Sequence, residues 1–175
     1  MFDKSHFHSL VIQPTLTVLD QVIPHSVEAE ALLLGTAISE SSLMYLKQGL
    51  YKLSDGLGVA LGPYMVEPAI HIDVWENFIV YRQELNEFMR VTFGLEFHDL
   101  CPANEKLITD LAYATAIARL IYWRRPEVLP GMDGEGLARY HEQHFNTIKG
   151  AIGRTSDVLE HVQYFVDAIE IVGQL

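Results

Sequence analysis

The sequence predicts an all-α protein, or at most a mainly helical α+β one, folded as a single domain with one small irregular insert. Three observations predict it. Two long stretches repeat apolar residues at alternating spacings of four and three, N-cap residues precede apolar runs, and Gly and Pro punctuate the chain rather than cluster. At 175 residues the length suits one domain with one core, and no repeat, low-complexity tract or linker divides 1–175.

The elements follow in order. From Pro14 to Val22 a proline in the first turn and Leu16, Leu19 and Val22 at helical spacing predict a short helix that ends before Pro24. Ser26 then reads as an N-cap, with Glu28 and Glu30 in the first turn where the helix dipole favours anions, and the helix it opens runs to about Glu40. Tyr45 to Pro63 contains Gly49, Gly56, Gly58 and Gly62 and keeps neither a helical nor a strand period, so an irregular loop or small β-lobe is expected there. Glu67 to Val80 and Arg82 to Val91 are predicted helical, with a break between them.

After Pro102 the residues Leu107, Leu111, Ala114, Ala118 and Ile121 form one apolar stripe, the mark of a central core helix. Pro126 and Pro130 end it, and Gly134 to Asn146 forms a shorter helix. Ser156 caps a last one, whose stripe Val158, Val162, Phe165, Ile169 and Val172 must be buried against the domain or a partner.

Composition bounds the function. Hydrophobic residues make up 49% and charged ones 20%, which fits a packed globular chain and not a disordered one. The longest apolar stretch, Ala29 to Ile38, is interrupted by Glu30, Gly35 and Thr36 and falls well short of the ~20 residues that cross a bilayer, so no membrane span is predicted. Met1 to His8 carries Asp3, Lys4 and two histidines instead of a secretory signal pattern. Synthesis in the cytoplasm and export by a lytic or injection route are therefore expected.

A formal net charge of −11 argues against a nucleic-acid partner, which needs clustered Lys and Arg, and it also opposes approach to an anionic cell wall unless salt screens the field. Cys101 stands alone, so no internal disulfide or cysteine-based zinc site can form, and its thiol reads as buried or idle.

One carboxylate has a setting that chemistry could use. In Gly35 to Gln48, GTAISESSLMYLKQ, Glu40 closes an apolar helix directly before a polar loop. Hydrocarbon on one side raises a carboxyl pKa and keeps the group a proton donor near neutrality, which is what breaking a glycosidic bond requires. A solvated glutamate at a helix end is the plainer alternative.

The next motif, Gly58 to Ala69, reads GVALGPYMVEPA. A Glu-Ser pair, Glu40-Ser41, then a glycine-containing loop, then an aromatic and Met-rich stretch closing on Pro-Ala resembles the lysozyme-like superfamily, specifically the lytic transglycosylases and goose-type lysozymes. In that family the catalytic Glu precedes Ser at a helix end and a Gly-x-x-Gln-x-x-Pro stretch lines the cleft. Gly62 and Pro68 match the glycine and proline, whereas Met65 replaces the glutamine and removes an amide that would bind sugar. Tyr113 to Pro130, YATAIARLIYWRRPEVLP, resembles the long core helix of these proteins, and Ala138 to Thr147, ARYHEQHFNT, their Tyr-Asn element, with Phe145-Asn146 at the matching place. The pattern from Gly35 to about Gly150 is similar to small lysozyme-like proteins of tailed bacteriophages.

The resemblance implies that Glu40 acts first as acid and then as base on the bond between N-acetylmuramic acid and N-acetylglucosamine, with an intramolecular hydroxyl as the displacing group. In true lysozymes a second carboxylate contributes; Asp55 is the first candidate here, with Glu67 and Asp73 behind it, although Asp55 beside Gly56 also fits a plain turn. Ser41, Gln48, Gly62, Tyr64, Met65, Glu67, Tyr113 and Asn146 are the expected saccharide-contacting positions. Tyr64 and then Tyr113 are the preferred rings, ahead of Tyr122 and Trp123, and Asn146 reads equally as a sugar contact or a helix C-cap.

Metal readings fail on spacing. His141 and His144 are three apart where the zinc metalloprotease pair needs four, and His6 with His8, and His71 with Asp73, lack a third ligand and read as solvated surface. No cofactor is expected. Arg124-Arg125 read as partners of the carbonyls ending their own helix. Two functions compete on these residues: a peptidoglycan-cleaving enzyme, acting by hydrolysis or by intramolecular transfer, and a lysozyme-like structural protein of a phage virion or tail, bound to other virion proteins, that has lost turnover.

Overall fold

The computed structural model describes residues 2–47, 59–145 and 158–174, with side chains from 161 onward in the last stretch. Gln48, Gly49, Asp55, Gly56, Gly58, Asn146 and Ser156, all given roles above, lie outside the described residues. Among those described the fold is all-α. Isolated bridges pair Lys47 with Leu61 and Leu61 with Val66, and no sheet forms.

The first helix starts ten residues earlier than Pro14. Asp3 caps it, its carboxylate accepting from the backbone N–H of His6 at 3.0 Å, and the chain stays helical through α1 (Lys4–Phe7), a π turn (His8–Ile12) and α2 (Gln13–Leu19). Pro14 has no N–H to donate, and in a regular helix its ring would press on the carbonyl four residues back; the wide turn directly before it is where the helix accommodates it.

Helix α3 (Val27–Ser41) begins as predicted, with Ser26 extended and its Oγ accepting from the N–H of Ala29 at 3.2 Å. Every residue from Ala29 to Ile38 is buried, so α3, enclosed all round, shares the centre of the core with the helix at 111–123. Ser42 and Leu43 then take left-handed φ of 51° and 52° and turn the chain out of the helix.

Helix α4 (Pro68–Val74) continues into a second π turn (Trp75–Ile79), and α5 (Gln83–Thr92) follows after the expected break. The stripe starting at Leu107 is not one helix. Asp110 is extended, with φ −134° and ψ 99°, and its carboxylate accepts from the N–H of Tyr113, so a short α6 (Lys106–Thr109) ends there and α7 (Leu111–Trp123) starts anew. Asp133 likewise caps α8 (Gly134–His144) through the N–H of Gly136, at 2.9 Å.

Helix α9 (Val158–Val172) packs on α3 and α8, with Phe165 and Ala168 fully enclosed. Two glycines admit it. A Cβ on Gly35 would lie 2.6 and 2.8 Å from Cε1 and Cγ of Phe165, and one on Gly134 would lie 2.6 Å from Cγ2 of Val166. Of the predicted stripe, Phe165 and Val172 are buried in the domain itself and Val162 and Ile169 are partly buried against its core. Among the described residues no helix is long and apolar enough to cross a membrane.

Candidate functional site

Glu40 sits in the last turn of α3 with its side chain only 6% exposed. The chain leaves α3 through the left-handed turn and meets the motif loop, where Gly62 N–H donates to Leu46 O at 2.9 Å beside the Lys47 to Leu61 bridge. This docks residues 59–66 onto the segment that follows Glu40. Glycine is required at 62: its φ is +74°, and a Cβ there would strike the backbone oxygen of Leu107. The loop closes on itself through Leu61 N–H to Val66 O at 2.9 Å and Met65 N–H to Gly62 O at 3.1 Å, with Met65 at φ 47° and nearly buried. Pro68 then opens α4 with Glu67, extended, at its N-cap.

The remaining expected contacts divide by burial. Ser41 is buried, and its hydroxyl closes the helix end, donating to Ala37 O at 3.0 Å and accepting from Leu43 N–H at 3.1 Å. Tyr64 and Tyr113 are wholly enclosed, so neither ring offers a face to a sugar. The physical reason is that each phenol has a partner inside: Tyr64 OH meets Thr115 Oγ1 at 3.0 Å, and Tyr113 OH accepts from Trp75 Nε1 and donates to His71 Nε2. Burial drives both phenols far above their ordinary ionisation range. Tyr122 is enclosed in the same way, while Trp123 is partly buried against the core.

What faces Glu40 is a residue that the sequence reading dismissed with its failed metal motif. His141 of α8 is fully buried, and its Nε2 lies 3.3 Å from Glu40 Oε1. The imidazole stacks near Phe145 and Phe165, with ring centroids 5.6 and 5.5 Å away. Its other nitrogen, Nδ1, is 2.9 Å from Tyr122 OH, which is 2.7 Å from Thr36 Oγ1, and Thr36 in turn donates to Leu32 O at 2.7 Å. A carboxylate, an imidazole, a phenol and a hydroxyl therefore form one buried line across α3, α8 and α7. Desolvation pushes the Tyr122 phenol well up, so it remains a neutral hydroxyl.

Two further buried polar groups correct the surface readings of His8 and His71. Both imidazoles are 0% exposed. His8 Nε2 and His25 Nε2 each lie 2.5 Å from an oxygen of Glu30, itself enclosed in α3. His71 donates from Nδ1 to Asn104 Oδ1 at 2.8 Å and accepts from Tyr113 OH at 2.6 Å, and burial lowers its pKa. A signal for these residues was available: His71 stands three and four before Val74 and Trp75, and His141 four after Leu137, in the helical phase of the core.

Asp73 is not part of this network. Arg124 pairs with it and holds its carboxyl below the usual range, and Arg125 donates to His144 O at the end of α8, so neither guanidinium is spent on the carbonyls of its own helix. Cys101 Sγ lies 3.8 Å from His71 Nδ1, but that nitrogen is committed to Asn104 and burial pushes the thiol up to about 11, which leaves no thiolate to attack with.

Among the described residues no group of three or more His, Cys, Asp or Glu is placed to hold a metal ion. An open depression of about 200 Å³ lies elsewhere, between Gly94, Glu96, Asp99 and Lys106, and touches neither α3 nor α8. Compared with known proteins, the chain matches no family model, no curated sequence and no solved structure.

Proposed function

We propose that the chain is a lysozyme-like protein that cleaves peptidoglycan glycan strands, with Glu40 as the single acid and base. The observation that carries this reading is the Glu40 carboxyl itself: closing a buried helix, 6% exposed, next to the docked motif loop, and set 3.3 Å from a buried imidazole. A carboxyl group in that place, when protonated, can donate to the leaving glycosidic oxygen. The bond from the sugar carbon to that oxygen breaks, a hydroxyl of the same sugar bonds to the carbon, and its proton returns to Glu40. One carboxyl suffices and no proton is consumed.

A second reading, a virion or tail protein that keeps the scaffold without turnover, is favoured by specific observations. Tyr64 and Tyr113 present no face to a sugar, and Met65 has no amide to bind one. Digestion of purified sacculi, with the products analysed for anhydro-sugar ends, separates the two. Fragments released by the native chain and absent with Glu40→Gln support cleavage; anhydro ends identify transfer, reducing ends hydrolysis. No fragments from either protein, with stable incorporation into phage particles, would establish the structural role.

A further inference from the structure

An arginine keeps its charge at any pH where a protein folds, so the partners of a buried one show what it is for. Arg90, 5% exposed, spends all three guanidinium nitrogens on the fold: Nε on Asn86 Oδ1 at 2.7 Å, Nη1 on Glu96 O and Nη2 on Asp99 O. It ties α5 to the loop that follows. Arg119 of α7 is nearly as enclosed, at 8%, and is held differently. Its Nη2 donates to Pro24 O at 3.2 Å, its Nε is buried with no hydrogen-bond partner, and no carboxylate pairs with it among the described residues. Acid is not scarce, since Asp and Glu outnumber Lys and Arg by 23 to 12 over the chain. A cation withdrawn from water without an anion is unfavourable, and burial accordingly lowers the Arg119 pKa. One carbonyl bond compensates little of that, so packing alone gives no reason for a guanidinium at this position.

The surroundings repeat the pattern. Burial and then Glu127 raise the pKa of the Tyr140 phenol on α8, while Arg119 and Arg125 lower it, so these three charges lie within electrostatic reach of one hydroxyl. That hydroxyl is occupied, donating to Glu127 O at 3.2 Å. Arg125 donates from Nη2 to His144 O at 3.2 Å, and its Nε is buried without a partner. His144, its ring centroid 4.3 Å from that of Tyr140, has a buried Nε2 in the same state, 3.8 Å from Glu127 Oε2 and too far for a hydrogen bond. Three nitrogens without partners thus surround Tyr140, and the two on guanidiniums can only donate. Such a set suits a group with several acceptor oxygens and a negative charge. Glu127 is the opposing charge, but its carboxylate is 48% exposed and screened by water, as Arg119 is not.

We propose that Arg119, with Arg125 beside Tyr140, forms a binding site for a small oxyanion, a phosphate or carboxylate group, where the connection from α2 to α3, the end of α7 and α8 meet. The oxygens of the ligand accept from guanidinium N–H groups that the fold leaves unpaired, and its charge offsets a cation that no carboxylate of the described residues neutralises. Arg119 is then placed for a ligand, as Arg90 is placed for the fold.

Arginine Nε–H resonances of the full chain test it. Inorganic phosphate and acetate are titrated separately in ¹H–¹⁵N spectra, with sodium chloride holding the ionic strength constant. The Arg119 Nε signal should shift and saturate, while the Arg90 Nε signal, spent on Asn86, stays in place. A shift with phosphate alone assigns a phosphate group, one with acetate alone a carboxylate, and one with both an oxyanion of either class. No shift with either, or Arg90 moving in step with Arg119 as a general salt effect requires, overturns the proposal. In a second measurement Arg119→Met keeps the apolar stem and removes the charge. The rise of its urea midpoint with the same oxyanion should show binding weakened by about tenfold or more, the worth of one charge-assisted hydrogen bond. An unchanged response in Arg119→Met refutes the site, and the spectra of the native chain decide it whether or not the variant folds.

Discussion

Gly35→Ala is a substitution whose sign the packing reverses. In an exposed helix the change is favourable by about 0.8–1.0 kcal/mol, since alanine is the best helix former and glycine among the worst. Position 35 is not exposed: a Cβ there would lie 2.6 and 2.8 Å from Cε1 and Cγ of Phe165, a ring that is itself 0% exposed and has nowhere to retreat. Overpacking of this kind costs about 1–3 kcal/mol, so the net effect is a loss of about 1 kcal/mol, or about 2–4 °C in Tm for a domain of this size. In a Phe165→Ala background, which alone costs about 3–5 kcal/mol, the clash is gone and the same Gly35→Ala step should stabilise by up to ~1 kcal/mol. Urea unfolding of the four proteins gives the cycle. If Gly35→Ala stabilises the native background as much as the Phe165→Ala one, α9 does not lie against α3 at this distance, and the docking that also places Phe165 beside His141 is refuted.

Two further predictions concern the other buried histidines. Burial lowers the His71 pKa, and that of His144, so both are neutral in the fold while the unfolded chain takes up protons below about 6.5. Stability is therefore full above that pH and declines as pH falls through it, by at most about 1.4 kcal/mol per pH unit for each group; urea midpoints that stay flat between pH 7 and 5 would contradict this. Glu30→Ala removes the hydrogen-bond partner of two imidazoles, one of them fully enclosed, and should cost about 1–3 kcal/mol in urea unfolding, whereas the double change Glu30→Leu, His8→Leu, which leaves neither buried partner unsatisfied, should cost clearly less. Equal losses in the two variants would show that the cost lies in packing and not in the polar pair.

The helices were legible where their signals are local. Ser26 caps α3 through its own side chain, and the stripes of α7 and α9 mark buried faces without knowledge of what covers them. Local signals also misled. Asp110 sits inside an unbroken apolar period, yet its carboxylate captures the Tyr113 N–H and starts a new helix, because a capping bond can outweigh continuity of a stripe. The site was less legible. The sequence marks Glu40 as a helix-end carboxylate, but its partner lies 101 residues away on α8, and that choice is made by how α3, α7 and α8 pack. Tyr64 and Tyr113 failed as ligand faces for the same reason, since an aromatic in a motif loop and one in a core have identical sequence and differ only in what surrounds them.

The two π turns among the described residues extend what each helix can cover. Such a turn carries one residue more than an α turn, so the side chains on either side of it belong to different angular phases. Phe7, just before the first, and its end residues His8 and Ile12 are all buried, with Leu16 and Leu19 after it; Val74, just before the second, and its end residues Trp75 and Ile79 are buried likewise. Neighbours in sequence that a regular helix would splay apart both reach the interior. Each helix thereby lays down a wider band than its length would allow, and that extra width is what brings an imidazole at position 8 over the carboxylate at position 30.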